Sequence, residues 1–163
     1  MKNLLEKEMR KSVVVIDPKD SVKKAASLMA SKDIGCIVPV ETGRPVGIMT
    51  ERDILKKVTA KGIDPKSISV EDIMTRDIIS LDSQRTVEEA VDLLEKKKIK
   101  RLPVIEKNNL IGIVTLTDLI KCLRRIEIDD LKRLQRTIKE LHLTKIKLQS
   151  RIISLEERVI KKQ

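Results

Sequence analysis

Apolar residues in the first three quarters of the chain form short β-branched runs separated by stretches with helical spacing, and the whole pattern occurs twice. Residues 13–16 and 78–81 read as strands. Behind them Asp17-Pro18 and Asp82-Ser83 turn the chain, and Ser21 or Thr86 stands where a helix N-cap belongs. Val22, Ala25, Ala26 and Met29 recur at i, i+3, i+4 and i+7, as do Val87, Ala90, Val91 and Leu94, so each copy predicts a helix with one apolar face. Two further strands follow in each copy. They span 36–40 and 45–49, joined by Glu41-Thr42-Gly43-Arg44, then 102–105 and 110–114, joined across Asn108-Asn109. A closing helix starts at Thr50 or Thr115, and residues 59–69, with Gly62 and Pro65, read as the linker between copies.

The two halves are copies of one unit. A shift of 65 residues aligns 13–58 with 78–123 without a gap, and 12 of those 46 positions are identical, among them Asp17/Asp82, Gly47/Gly112, Thr50/Thr115 and Asp53/Asp118. Upstream, Glu6 and Met9 fall on Glu71 and Met74 in the same register. A unit of about 60 residues buries only about 60% of its chain surface, so it gains by packing against its twin. The expected fold is α+β: tandem βαββα repeats over 1–62 and 63–124, followed by a long C-terminal α-helix over 125–163.

Chemistry concentrates in Gly47-Ile48-Met49-Thr50-Glu51-Arg52-Asp53 and its copy Gly112-Ile113-Val114-Thr115-Leu116-Thr117-Asp118. Thr followed three residues on by an acid is a capping box, which by itself is purely structural. A helix start also offers free N–H groups that suit phosphate, and a carboxylate there can accept from both hydroxyls of a ribose. Occurring twice in register, with Met74-Thr75 and Arg101-Leu102-Pro103-Val104, the motif resembles the cystathionine-β-synthase (CBS) domain family over roughly residues 5–123. The resemblance implies a stand-alone regulatory CBS-domain pair that binds AMP, ADP, ATP or S-adenosylmethionine in clefts between the repeats. It implies ribose on Asp53 and Asp118, and phosphate facing Thr50, Arg52, Thr115 and Thr117. Adenine would lie against Val14, Ile34 and Gly35 in one cleft and Ile79, Ile99 and Lys100 in the other. Arg52 is matched only by Thr117, and Arg101 only by Cys36, so the clefts are expected to differ.

From Leu131 onward there is neither proline nor glycine, and apolar residues recur at alternating intervals of three and four. Leu131, Ile138, Lys145, Ile152 and Val159 take heptad position a; Leu134, Leu141, Leu148, Leu155 and Lys162 take d. This predicts a parallel two-stranded coiled coil, hence a homodimer, with Arg151 set to meet Glu156 of the partner helix. Leu143, Ile146, Ile153 and Ile160 form a weaker second stripe that leaves a higher oligomer or a protein partner open.

Composition narrows the function. Net charge is +10, and residues 124–163 carry 12 of the 35 basic and 6 of the 25 acidic side chains. Nucleic acid binding through Lys132, Arg133, Arg136, Lys139 and Lys147, or a scaffold role without ligand, is therefore the alternative reading. With no Phe, Tyr or Trp, the chain has no aromatic platform for bases. No His-centred triad, metal cluster or Gly-rich phosphate loop points to an enzyme, and no cofactor is expected to be required. Cys36 and Cys122 match no metal spacing and read as small buried apolar residues, and His142 as a solvated one. No apolar run approaches ~18 residues, so a cytoplasmic protein without membrane contact is expected.

Overall fold

The computed structural model describes residues 3–160, with side chains described to Ser154. The chain divides into two compact units, Met1–Ile120 and Lys121–Gln163. In the first unit the order is β1 (Val15–Ile16), α1 (Val22–Ser31), β2 (Cys36–Glu41), β3 (Arg44–Pro45), β4 (Met49–Thr50), α2 (Glu51–Lys57), α3 (Val70–Ile73), α4 (Val87–Lys97), β5 (Arg101–Glu106) and β6 (Asn109–Thr115). The first helix of each repeat starts where its cap stands. Ser21 Oγ accepts from Lys24 N at 3.2 Å, and Thr86 forms a full capping box with Glu89. Val22, Ala25 and Met29, like Val87, Ala90 and Leu94, are buried, so the predicted apolar faces are the core faces.

In the first repeat β2 pairs in parallel with β1 and antiparallel with both β3 and β4. In the second, β5 and β6 form an antiparallel hairpin with a register shift at Val104/Ile105. Four local expectations need correction. Residues 45–49 do not form one strand, because β3 ends at Pro45 and Val46 N–H turns to Pro39 O at 2.9 Å. Residues 78–81 are reduced to a single parallel bridge, Leu81 to Val104. The second hairpin turns on Lys107-Asn108, not Asn108-Asn109, since both turn residues have positive φ (46° and 66°) and Asn109 pairs with Glu106. Cys36 is half-buried at its strand start, whereas Cys122 is buried as expected.

What holds the repeats together is an exchange of lead segments. Val70 N–H donates to Asp20 O and Glu71 N–H to Pro18 O, each at 2.9 Å, and Thr75 bridges Ile48. The copy repeats the exchange in reverse: Leu5 N–H donates to Arg85 O at 2.9 Å, Glu6 N–H to Ser83 O at 3.1 Å, and Arg10 bridges Ile113. Val70, Ile73 and Met74 accordingly complete the core formed by Ile16, Val22, Met29, Ile37 and Met49. This crossing explains the glycine that opens each motif. A Cβ on Gly47 would lie 2.5 Å from Met74 Sδ, and one on Gly112 would lie 2.5 Å from Met9 Sδ.

The second unit belongs to α5, a single helix spanning Leu116–Ile160, 45 residues and about 68 Å. Residues 124–130, which join the last repeat helix to the coil, are helical as well. They contain no breaker, and arginine and glutamate favour helix. Leu131, Leu134, Ile138, Leu141, Leu148 and Ile152 of the seam are each more than half exposed, and Leu143, Ile146 and Ile153 are exposed too. His142 is exposed. Leu155, Glu156, Val159, Ile160 and Lys162 lie outside the residues whose side chains are described.

Candidate functional site

Both motifs end in the same local geometry. Thr50 Oγ1 accepts from Asp53 N at 3.3 Å, and Asp53 Oδ2 accepts from Thr50 N at 2.9 Å and from Thr50 Oγ1 at 2.6 Å. In the copy the distances are 3.2, 3.3 and 2.7 Å for Thr115 and Asp118. One oxygen of each carboxylate therefore closes a capping box at the helix start. The other oxygen meets a cation, and here the copies differ. Asp53 Oδ1 pairs with Lys57 Nζ of its own helix at 2.9 Å, and that ammonium also donates to Ile73 O at 2.6 Å. Asp118 Oδ1 pairs with Arg10 Nη2, from the exchanged lead segment, at 2.8 Å.

These partners set the charge state. Burial raises both carboxyl pKa values, but the hydrogen bonds and ion pairs outweigh it: Thr50 and Lys57 hold Asp53, and Arg10 and Thr115 hold Asp118, below the ordinary carboxylate range. Each motif thus presents an ionised acceptor pair beside a helix N-terminus at neutral pH.

The remaining expected site residues gather around these two starts. Gly35 O accepts from Glu51 N at 3.3 Å, which sets Ile34 and Gly35 beside the start of α2; Lys100 O accepts from Leu116 N at 3.0 Å and does the same for Ile99 and Lys100 at α5. Val14 O accepts from Val38 N at 3.2 Å, and Val14 and Ile34 both pack against the first core. Ile79 is half-buried before the single bridge at Leu81, while Arg52 and Thr117 are exposed in the first turn of their helices. A groove of about 270 Å³ is lined by Met29, Ile34, Glu51 and Ile54 but by none of Thr50, Arg52 or Asp53, so it lies beside the carboxylate and not over it.

Three side chains at these starts lie outside the sequence-derived set: Arg10, Lys57 and Arg101. Arg101 opens β5 and reaches across to the first repeat, where its Nη2 lies 3.7 Å from Glu51 Oε2. A Cβ on Gly35 would meet the guanidinium of Arg101 and the carboxylate of Glu51, the movable ends of two long side chains, so a larger residue there would displace this pair. Cys36, the counterpart of Arg101, lies beside this pair; burial raises its thiol pKa, partly countered by Arg101. The mismatch of Cys36 with Arg101 was the available signal for Arg101. Arg10 and Lys57 had none beyond their charge.

Comparison with known proteins settles the family. The CBS domain matches residues 2–60 and again 70–125. The chain belongs to the CBS domain family. It is 37% identical over 111 residues to the CBS domain-containing protein YhcV of Bacillus subtilis, covering 68% of this chain and 79% of that one. It is 34% identical over 113 residues to the inosine-5′-monophosphate dehydrogenase of Methanocaldococcus jannaschii, covering 68% of this chain but only 22% of the enzyme. Among solved structures, the CBS domain pair of protein MJ0100 in complex with 5′-methylthioadenosine and S-adenosyl-L-methionine is similar at a TM-score of 0.69 and 26% identity. That match covers 76% of this CBS chain and 97% of the other. Among the described residues no helix is long and apolar enough to cross a membrane, and no group of three His, Cys, Asp or Glu side chains could hold a metal ion.

Proposed function

We propose that this CBS pair is a cytosolic regulatory protein that binds an adenosine-type ligand (AMP, ADP, ATP or S-adenosylmethionine) and signals to a protein partner through a dimeric coiled coil. The observation that carries the reading is the twinned carboxylate at a helix start, whose outer oxygen is held, among the described residues, by a long, exchangeable basic side chain. Lys57 and Arg10 are 40% and 62% exposed, so a ribose hydroxyl can replace either at modest cost. At the same helix start Arg52 or Thr117 supplies its backbone N–H, and the side chains of Thr50 and Arg52, or Thr115 and Thr117, face the phosphate. The N–H groups on either side are taken by Gly35 O and Thr50 Oγ1, or by Lys100 O and Thr115 Oγ1. The nucleoside ligands of the MJ0100 pair support the same class.

The dimer reading draws on two exposed surfaces. The seam of α5 has the a and d pattern of a parallel pair. Leu55 and Ile120, 65 residues apart and so at equivalent positions, are 61% and 44% exposed, and α2 buries no residue of its own. Those faces suit contact with a second copy, the second repeat meeting its own counterpart when the helices run parallel.

Asp53→Ala and Asp118→Ala are expected to fold and to weaken AMP binding, each in its own cleft, with the double variant losing it. Calorimetric titration checks this. Wild-type affinity in the double variant would end the ribose assignment, and a large fall in ligand-free melting temperature with affinity intact would leave the capping box as the whole role of both carboxylates.

A further inference from the structure

We infer that Arg10 is the specificity-determining residue of the Asp118 cleft, selecting adenosine ligands that carry a 5′-phosphate. The inference deepens the proposed nucleoside-binding role and rests on it. Arg10 and Thr75 are equivalent under the 65-residue shift, and each bridges the Gly-led strand of the opposite repeat, Arg10 at Ile113 and Thr75 at Ile48. The two clefts therefore receive a guanidinium and a hydroxyl at the same place. At the helix starts the inequality is reversed, with Arg52 in the first copy and Thr117 in the second. Across these two pairs of equivalent positions each helix start has one arginine, from a different element. Arg101 adds a second guanidinium beside the first start, 3.7 Å from Glu51 Oε2, while Arg10 supplies at the second the cation that Thr117 lacks.

The backbone of Arg10 is fixed by two hydrogen bonds with Ile113, at 2.9 and 3.0 Å, while its side chain is 62% exposed and free to swing. At rest its Nη2 holds Asp118 Oδ1. A ribose hydroxyl that takes Asp118 Oδ1 must displace that contact, while Oδ2 stays in the capping box with Thr115. A neutral nucleoside gives the guanidinium nothing in return. A 5′-phosphate, carried on the same ribose, offers a bidentate anion and converts one charged pair into another. A sulfonium ligand would be repelled. Arg10 thus both bars the cleft against uncharged ligands and rewards charged ones.

The test confines the readout to the second cleft by using Asp53→Asn, which keeps a polar cap on α2. Calorimetric titration of that protein with AMP and with adenosine should favour AMP on the order of tenfold. Adding Arg10→Ala should bring the two affinities together, AMP weakening while adenosine holds or tightens, and Arg10→Lys should fall between. If Arg10→Ala weakens both ligands in proportion, or leaves their ratio unchanged, the inference is overturned and Arg10 is a structural ion-pair partner. If neither ligand binds while Arg10 is intact, the nucleoside reading of the cleft fails first and the inference falls with it.

Discussion

Gly47→Val should lower the melting temperature by roughly 10 °C, a loss of about 3 kcal/mol. Gly47 is buried where the exchanged segment of the second repeat crosses the first. Its Cβ would sit 2.5 Å from Met74 Sδ and 3.0 Å from both Met74 Cγ and the carbonyl oxygen of Thr75. The methionine tip can swing aside, but the Thr75 carbonyl is fixed by its hydrogen bond from Ile48 N at 2.9 Å. Relief therefore requires the lead segment itself to move and to open the core around Val70, Ile73 and Met74. Gly112→Val should cost less, because the three nearest atoms all belong to the side chain of Met9. Gly43→Ala is the control: it meets no atom within 4 Å and costs only the strain of φ +80°, on the order of 1 kcal/mol. Thermal melts of the three variants, read by circular dichroism, check the order Gly47, Gly112, Gly43.

The proposed coiled-coil dimer predicts that the full chain sediments as a dimer at micromolar concentration and that a chain ending at Arg125 sediments largely as monomer, with both repeats still folded. The deleted segment contains the whole exposed seam, and six apolar side chains more than half exposed are a strong reason for two helices to associate. The first unit has its own core and keeps the exposed Leu55 and Ile120 as a weaker contact. Sedimentation equilibrium reads the association, and the melting curve reads the fold. Direction is tested by Leu148→Cys with Cys36→Ser and Cys122→Ala in the background. At a d position of a parallel pair each cysteine faces its counterpart, so rapid interchain disulfide formation is expected. A dimer that fails to cross-link would exclude the parallel seam.

Much of this was legible because local rules and the duplication agreed. Ser21, Thr50, Thr86 and Thr115 all flank helix starts as their positions required, and the apolar faces of α1 and α4 are the core faces. The shift of 65 residues aligned Met9 with Met74 and Gly47 with Gly112, but it could not reveal that Met74 covers Gly47 and Met9 covers Gly112. A register pairs like with like; it does not say which repeat a segment leaves to visit the other. The same blindness hid Arg10 from Asp118, 108 residues away in sequence. The hairpin at Lys107-Asn108 moved by one residue because the turn is chosen by which pair takes positive φ, and Asn109 can pair in the strand as well as turn. Residues 124–130 stayed helical because charge without a breaker does not end a helix.

The proposed grip of the helix-start carboxylates on a ribose diol is tested most directly by ligands that differ only there. The unaltered chain is titrated calorimetrically with AMP and with 2′,3′-dideoxy-AMP, which keeps the base and the phosphate but offers no hydroxyls to Asp53 or Asp118. Saturable binding of AMP and an affinity for the dideoxy analogue weaker by at least roughly tenfold is the predicted result, because a polar site built for hydroxyls is left unpaired by a ligand without them. Equal affinities for the two ligands, or no saturable heat from either, would contradict the account.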